Sequence, residues 1–297
     1  MAAQLDLPHF AIIGAMKCAT STLHDQLARQ PSVLMSDPKE PNFFSDQQNW
    51  DRGLGWYRSL FEAAGPGSVC GESSTHYSKL PTYPKTVERF QRSLPHAKLI
   101  YVMRNPIDRI VSQYIHQWSE RTIDEPIDVA VQNRAELVAY SRYAMQLEPW
   151  LEAFGSDRIL PVFFERLTRS PQTEFARIGQ FIGLPEPAIW LSDEGPKNVS
   201  ATRLRYGMQM ERVLDWGPAR FTRRLLLTEK MRERIKSRWR METRPELSAS
   251  SRAWCVAQLD PDMARLGQLL GLPLNCETFS TAVLDSERAP EWKVEIE

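Results

Sequence analysis

Several features that mark specialised classes of protein are scarce in this chain of 297 residues. It has 4 cysteines, which lie far apart and form no Cys-x-x-Cys pair: Cys18, Cys70, Cys255 and Cys276. Neither a disulfide framework nor a structural zinc site is expected from this spacing, and reduced thiols in a cytosolic protein are predicted instead. The prediction includes no metal site of any kind.

Long apolar runs and a surplus of charge of one sign are also absent. No stretch approaches ~18 uninterrupted apolar residues, so no membrane-spanning helix is predicted. The N-terminal segment has neither the basic start nor the long apolar run of a signal peptide. The 37 Lys and Arg residues balance the 37 Asp and Glu residues, so no global field attracts nucleic acid or a membrane surface. We therefore expect a cytoplasmic protein in which any anion site is local.

What the sequence does contain is an alternation of short apolar runs with amphipathic stretches. Strands are predicted over residues 9–14, 69–72, 98–103 and 158–164. Helices are predicted over residues 20–29, 106–118, 136–154 and 171–182, the third of them broken or bent near Pro149. Continuous apolar strands between helices are typical of a parallel sheet covered on both faces. The predicted fold class is therefore α/β, with three layers and a central, mainly parallel sheet flanked by helices.

The C-terminal third of the chain lacks strand signals. Residues 198–252 are rich in arginine and are predicted to form a lid of helices and loops over the sheet. The arginines between residues 203 and 240 alternate with carboxylates, which indicates a solvated helical face rather than a nucleic-acid surface. Residues 259–272 are predicted to form a closing amphipathic helix. No repeat or low-complexity tract divides the chain, so residues 1–297 are predicted to form a single domain.

The first candidate site is the turn between the first predicted strand and the first helix. Residues 14–22 read Gly-Ala-Met-Lys-Cys-Ala-Thr-Ser-Thr. Such a turn offers unpaired backbone N–H groups and the positive end of a helix dipole to an anion, and Lys17 adds a full charge. In a Walker A loop the lysine directly precedes the hydroxyl that binds Mg²⁺, whereas Lys17 precedes Thr20 by three residues. This order favours a phosphate-like dianion without an obligatory metal, although a capped helix start with a surface lysine has the same pattern.

A second candidate anion site follows the strand over residues 98–103. Arg104 ends that strand, Asn105 and Pro106 start a helix, and Ser112 lies two turns along it. The carboxyl ends of parallel strands are where open α/β sheets bind ligands, and an arginine there can fork onto a phosphate. The alternative is an ordinary helix-capping turn in which Arg104 pairs with Asp108.

Three motifs, taken in order, resemble those of sulfotransferases that use the donor 3′-phosphoadenosine 5′-phosphosulfate (PAPS). Residues 12–23, IIGAMKCATSTL, resemble the 5′-phosphosulfate loop, and residues 99–114, LIYVMRNPIDRIVSQY, resemble the 3′-phosphate site. Residues 39–45, KEPNFFS, resemble the Lys-Glu-x-x-Phe-Phe motif of the branch shared by heparan sulfate sulfotransferases and many bacterial enzymes. The resemblance implies the P-loop-like sulfotransferase fold, PAPS as co-substrate without a metal, and adenosine 3′,5′-bisphosphate (PAP) as product.

The resemblance also implies which residues bind the donor. Lys17 would hold the 5′-phosphosulfate and stabilise the leaving phosphate oxygen. Arg104 and Ser112 would bind the 3′-phosphate, and Arg203 would belong to a late loop that closes over the donor. Ala19 stands where glycine is usual, which is costly only if φ is positive there, and we expect it to be tolerated. The loop residues that would cradle the sulfated end are Cys18, Ala19, Thr20, Ser21 and Thr22.

Sulfuryl transfer requires in-line attack on sulfur by a hydroxyl or amine, with a base to take its proton. The resemblance assigns the base to Glu40, whose pKa apolar neighbours would raise and Lys39 would lower. His76 is the rival base, because histidine titrates near neutrality. Without the resemblance, Glu40 would be a surface carboxylate on a loop anchored by Phe43 and Phe44.

The acceptor is left open: a sugar, a lipid or another small molecule would fit, whether it offers a hydroxyl or an amine. Its pocket is expected around residues 39–44, 72–79, 116–121 and 140–143. Ser73 stands where many relatives of the branch have a lysine, which argues against a sulfated polysaccharide. The candidate acceptor-binding residues are Lys39, Phe43, Glu72, His76, Tyr77 and His116.

Two other functions stay open, and so does the oligomeric state. A kinase-like phosphotransferase also has a strand–loop–helix anion site, but the chain lacks the Walker order and a clear Walker B aspartate. A non-catalytic protein that binds nucleotides or PAP is the second alternative. A Mg²⁺ requirement would indicate the former, and PAP binding without turnover the latter.

Overall fold

The central feature is one five-stranded sheet. The computed structural model describes residues 8–192, 243–286 and 288–293. The strands lie in the order β2-β3-β1-β4-β5, and every neighbouring pair is parallel. This confirms the predicted parallel sheet and adds one strand, β2, that was not predicted. The strands are β1 Phe10–Gly14, β2 Val33–Met35, β3 Val69–Ser73, β4 Lys98–Met103 and β5 Ile159–Phe163.

Helices flank this sheet and complete the predicted α/β architecture. Every residue of β1 and of β5 is buried, as expected where both faces of a parallel sheet are covered. Short 3-10 helices span Thr75–Ser78 and Ser156–Arg158. The helices are α1 Thr20–Ala28, α2 Gln47–Trp50, α3 Gly53–Ser59, α4 Thr86–Ser93, α5 Pro106–Ser119, α6 Ile127–Asn133, α7 Ala135–Ala139, α8 Tyr143–Phe154, α9 Phe164–Arg169, α10 Pro171–Ile182, α11 Ala249–Leu270 and α12 Phe279–Asp285.

The single helix predicted over residues 136–154 is wrong, because the chain forms two helices, α7 and α8, there. The break lies at residues 140–142, and Pro149 is accommodated inside α8. The fully buried guanidinium of Arg109 donates a hydrogen bond to the Leu137 carbonyl of α7 at 2.7 Å. The carboxylate of Asp262, on α11, accepts the backbone N–H of Ala144 at 3.0 Å and so caps the start of α8. Both partners are distant in sequence, so the local pattern gave no sign of the break.

The C-terminal helix is longer than predicted. α11 begins at Ala249 rather than at residue 259, and it ends before Gly271, which has a φ of 65°. Residues 249–252 of the predicted lid therefore belong to α11. Residues 198–242 of that lid, including Arg203, lie outside the described residues.

Candidate active site

A cleft of about 1360 Å³ opens at the carboxyl edge of the sheet. Its lining includes Lys17 after β1, His76 after β3, Arg104 after β4 and Phe164 after β5. Parallel α/β sheets bind their ligands at this edge. The structure thus brings residues from both predicted anion sites into one cleft.

The loop between β1 and α1 has the backbone of an anion cradle. A Cβ at Gly14 would lie 2.0 Å from Ser78 Oγ, so only glycine fits there. Lys17 and Ala19 have left-handed backbones, with φ values of 72° and 66°. The first turn of α1 has no side-chain cap, which leaves its N–H groups for a ligand. The loop residues that line the cleft are Met16, Lys17, Ala19, Thr20, Ser21 and Thr22.

The side chain of Cys18, unlike those of its neighbours in this loop, does not line the cleft. Its thiol is fully buried, and Sγ lies 3.9 Å from the Tyr143 hydroxyl. Burial raises the pKa of Cys18 to about 12, although nearby arginines act in the opposite direction. The side chain therefore anchors the loop in the core. The backbone N–H of Cys18 donates to the Ala15 carbonyl at 3.2 Å, so the predicted contact of Cys18 with the donor is not seen at the cleft.

Arg104 retains hydrogen-bonding capacity for a ligand. Its guanidinium lies over the Phe164 ring at 4.6 Å, and its buried Nε has no partner within the described part of the chain. Its ion pair with Asp108 is long, at 4.0 Å, and Asp108 is contacted more closely by Arg244, at 3.1 Å. The simple alternative of an Arg104–Asp108 pair thus leaves most donors unused. Ser112, buried on α5, lines the same cleft.

Glu40 reaches the cleft on a strained turn. Its φ is 57°, and its backbone N–H donates to the Ser73 carbonyl at 3.0 Å. Burial acts to raise the pKa of Glu40, but the Lys39 ammonium, 2.8 Å from Oε1, and the more distant Lys79 and His76 together outweigh it. The pKa is lowered overall, so the opposing effect predicted for Lys39 prevails over that of the apolar neighbours. Glu40 is ionised at neutral pH.

His76 is the second unprotonated group in the cleft. Its ring stacks on Tyr83 with centroids 4.8 Å apart, and Nδ1 is buried without a partner among the described residues. Burial, assisted by the charge of Lys79, lowers the pKa of His76 to about 4. Both candidate bases therefore line the cleft in a form that can accept a proton.

Three predicted acceptor-binding residues lie in the core instead of the cleft. Phe43 stacks on Tyr57 with ring centroids 4.7 Å apart, and its side chain is fully buried. Glu72 is also fully buried and accepts hydrogen bonds from the hydroxyls of Tyr57, Tyr77 and Ser74. Burial raises the pKa of Glu72 to about 7. We therefore place Phe43, Glu72 and Tyr77 in the supporting wall.

The remaining predicted residues divide between the cleft and its rim. His116 lines the cleft, whereas Lys39 reaches it only through its bond to Glu40. Sequence reasoning missed Gln113, which a three-residue spacing from His116 along α5 would have indicated. Glu120 falls within the predicted pocket range 116–121 and lines the cleft. Lys79 and Tyr140, within the predicted pocket ranges 72–79 and 140–143, also line the cleft. Four further lining residues gave no sequence signal: Thr82, Tyr83, Glu136 and Arg244.

Within residues 8–192, 243–286 and 288–293, no group of three or more His, Cys, Asp or Glu side chains is arranged to hold a metal ion. In the same part of the chain, no helix combines the length and apolar character needed to cross a membrane.

With this geometry established, comparison with known proteins identifies the family. The model of the sulfotransferase domain matches residues 7–260, and the chain belongs to the sulfotransferase family. The chain is 31% identical over 187 residues to heparan sulfate glucosamine 3-O-sulfotransferase 3B1 of Mus musculus, covering 60% of this chain and 46% of that protein. It is 32% identical over 186 residues to heparan sulfate glucosamine 3-O-sulfotransferase 6 of Homo sapiens, covering 60% and 52%. The chain thus spans about half the length of these relatives.

A second type of relative and a solved structure extend the comparison. The chain is 29% identical over 203 residues to bifunctional heparan sulfate N-deacetylase/N-sulfotransferase 2 of Homo sapiens, covering 60% of this chain and 22% of that protein. A sulfotransferase from Alicyclobacillus acidocaldarius superposes with a TM-score of 0.57 at 21% identity, covering 86% of this chain and 94% of that one. The latter match shows the sulfotransferase fold.

Proposed function

We propose that this protein is a sulfotransferase that moves the sulfuryl group of PAPS to a hydroxyl or amine of an acceptor. The observation that carries the proposal is the meeting of two anion sites in one cleft. Lys17 and its loop follow β1, Arg104 follows β4, and these strands are neighbours in the sheet. Membership of the sulfotransferase family supports the same chemistry.

The hydrogen-bond donors and cations of the cleft fit the donor substrate. The loop over residues 16–22 offers backbone N–H groups and the Lys17 ammonium to the 5′-phosphosulfate. Arg104, whose guanidinium lies over the Phe164 ring, can donate hydrogen bonds to the 3′-phosphate, and Ser112 adds a hydroxyl. A charge-assisted hydrogen bond of this kind is worth roughly 1.5–3 kcal/mol, so the 3′-phosphate should dominate the choice between nucleotides.

The transfer needs no reactant other than PAPS and the acceptor. The acceptor oxygen or nitrogen attacks sulfur in line with the bond between sulfur and the bridging phosphate oxygen. A new bond to sulfur forms, the old one breaks, and its electron pair stays on the phosphate of PAP. Lys17 stabilises that developing charge, and Glu40 takes the proton of the acceptor.

Glu40 is preferred as the base because it is ionised and held by Lys39 at the cleft. A pH profile would not separate it from His76, since the pKa of each group is lowered. Glu40→Gln and His76→Gln separate them directly. Loss of the base should slow transfer roughly 10²–10⁴-fold, and an active Glu40→Gln beside an inactive His76→Gln would reverse the assignment.

Nucleotide binding tests the donor site before any acceptor is known. Calorimetric titration should show that PAP binds the wild-type protein at least about tenfold more tightly than AMP. Arg104→Ala should bring the two affinities close together, whereas Arg58→Ala, on the exposed face of α3, should leave the ratio unchanged. A wild-type protein that binds PAP no better than AMP would rule out the assigned 3′-phosphate site.

Turnover tests the reaction itself. Sulfur-labelled PAPS should transfer its label to one member of a panel of glycans, phenols, lipids and amines. Lys17→Ala should slow that transfer roughly 10²-fold or more, while Lys85→Ala, at an exposed lysine, serves as the matched control. Undiminished transfer by Lys17→Ala contradicts the proposed role of this lysine.

A further inference from the structure

The cleft contains another buried cation, which the proposed donor site does not use. Lys79 lines the cleft just after the 3-10 helix Thr75–Ser78, and it is only 9% exposed. Among the residues that the structure describes, its ammonium has no hydrogen-bond or ion-pair partner; its ring contact is Tyr140, 5.8 Å away. A buried charge without a partner is costly. Groups of this kind concentrate at functional sites.

The carboxylates of the cleft act on Lys79 only at a distance, and none of those in the described residues forms an ion pair with it. Glu40 is bound by Lys39 at 2.8 Å, and Glu120 lies 3.3 Å from His116 Nε2. Glu136, the third carboxylate of the lining, makes no ion pair with Lys79. Burial lowers the pKa of Lys79 to about 8, so most of the ammonium is still charged at pH 7. An anionic group that enters the cleft would therefore find an unused partner.

Two other features of the cleft indicate which groups such a ligand would carry besides its anionic group. Gln113 is 1% exposed, its Nε2 donates to Gln117 at 3.2 Å, and its buried Oε1 accepts no hydrogen bond from the described residues. This oxygen could accept a hydrogen bond from a hydroxyl or N–H group of a ligand. The stacked rings of His76 and Tyr83, inclined by 16°, offer a flat face to a ring.

Resting on the proposed function, we infer that Lys79 and Gln113 form an acceptor subsite for a ring compound that carries an oxyanion and a hydroxyl. Lys79 pairs with the oxyanion, Gln113 accepts the hydroxyl hydrogen, and the His76–Tyr83 pair packs on the ring. Glu40, within the electrostatic reach of Lys79, stays available for the proton. The oxyanion is a carboxylate on an aromatic ring or on a sugar ring, and the experiment separates these sources.

Two matched pairs of probes test the subsite by binding, without requiring turnover. The aromatic pair is 4-hydroxyphenylacetate with its neutral amide, and the sugar pair is 4-nitrophenyl β-D-glucuronide with 4-nitrophenyl β-D-glucoside. Each is titrated calorimetrically into the full chain saturated with PAP. At least one carboxylate should bind about tenfold or more tightly than its neutral partner. The pair that shows this preference tells whether the carboxylate belongs on an aromatic compound or on a sugar ring.

Substitutions assign the preference to Lys79. Lys79→Met should abolish the discrimination, Lys79→Arg should retain part of it, and Lys85→Met should leave it intact. Gln113→Leu should weaken both members of a pair equally. Because Lys79→Met removes an unpaired buried charge, its melting temperature should rise or stay the same, whereas a structural ion pair would make it fall.

The outcomes that overturn the inference are distinct from those that overturn the function. Three results would each contradict the acceptor subsite: equal binding of charged and neutral probes, failure of both carboxylates to bind, or a preference that survives Lys79→Met. Normal PAP binding in the same titrations would leave the proposed donor site standing. Failure of PAP to bind would contradict the proposed function instead.

Discussion

Ala19 allows a prediction whose sign is unusual for an alanine-to-glycine change. It has φ 66° and ψ 21° at the start of α1, where the Cβ of an L-residue crowds the following carbonyl at a cost of roughly 1–2 kcal/mol. Glycine escapes this cost, but it adds about 0.4–1 kcal/mol of conformational entropy to the unfolded state. The Ala19 methyl is only partly buried, so little packing is lost. Ala19→Gly should therefore raise the free energy of unfolding by roughly 0.5–1 kcal/mol.

The same substitution elsewhere in the chain provides the control. Ala257 is exposed in the interior of α11, a right-handed helix of 22 residues. Glycine costs about 1 kcal/mol relative to alanine in such a position. Ala257→Gly should thus lower the free energy of unfolding, although the atoms removed are the same.

Urea unfolding under reducing conditions, followed by tryptophan fluorescence, measures both effects. The two midpoints should move in opposite directions at an unchanged m value. If Ala19→Gly destabilises the protein as much as Ala257→Gly, then Ala19 is not left-handed in the folded protein, and the described geometry of the donor loop is refuted.

Two further predictions concern buried charge. Burial lowers the pKa of His24 to about 4, so below its unfolded pKa of 6.5 the unfolded state binds the proton first, and wild-type stability should fall by up to about 3 kcal/mol between pH 6.5 and 4. Urea unfolding at several pH values should show a shallower fall for His24→Gln, and an identical slope would contradict the shift. Glu174 is 2% exposed and binds Arg166 at 2.7 Å and Arg177 at 2.9 Å, so Glu174→Ala should cost roughly 3–5 kcal/mol. Glu88→Ala, which breaks an exposed pair with Arg92, should change the midpoint little, and equal losses in the two variants would argue against burial as the cause.

The elements that were predicted well have local causes. β4 was predicted over its observed residues, 98–103, because five consecutive apolar residues, 99–103, are buried there. α5 begins at Pro106 because the Asn105 side chain accepts the N–H groups of Ile107 and Asp108. α10 ends where Gly183 adopts a φ of 83°. In each case the deciding interaction lies within a few residues of the boundary.

The errors have distant causes. The helix over residues 136–154 divides because Arg109 of α5 and Asp262 of α11 bind its backbone. Glu72 could be predicted near a strand end, but its burial depends on Tyr57 of α3 and Tyr77 of the following turn. Burial acts to raise the pKa of Glu40, and Lys79 and His76, which belong to a distant segment, help Lys39 to lower it. No local pattern specifies these contacts.

The same distinction explains why the sequence suggested individual residues for the proposed donor site but only broad ranges, and no identity, for the acceptor. The proposed donor end of the cleft consists of strand-to-helix turns, in which the residues that could bind a phosphate follow one another along the chain. The proposed acceptor end draws Lys79, Gln113 and Tyr140 from three separate segments, so no spacing relates them. Such a site becomes visible only when the segments are packed together.

Position 73 shows the consequence for substrate prediction. The serine found there, in place of a lysine, argued against a sulfated polysaccharide as the acceptor. In the structure Ser73 is fully buried, and its hydroxyl lies 3.1 Å from Nδ1 of His24. A positive charge nevertheless reaches the cleft, because Lys79 supplies it six residues later. The charge of an acceptor site is therefore a property of the assembled cleft, and the residue at one aligned position is not enough to infer it.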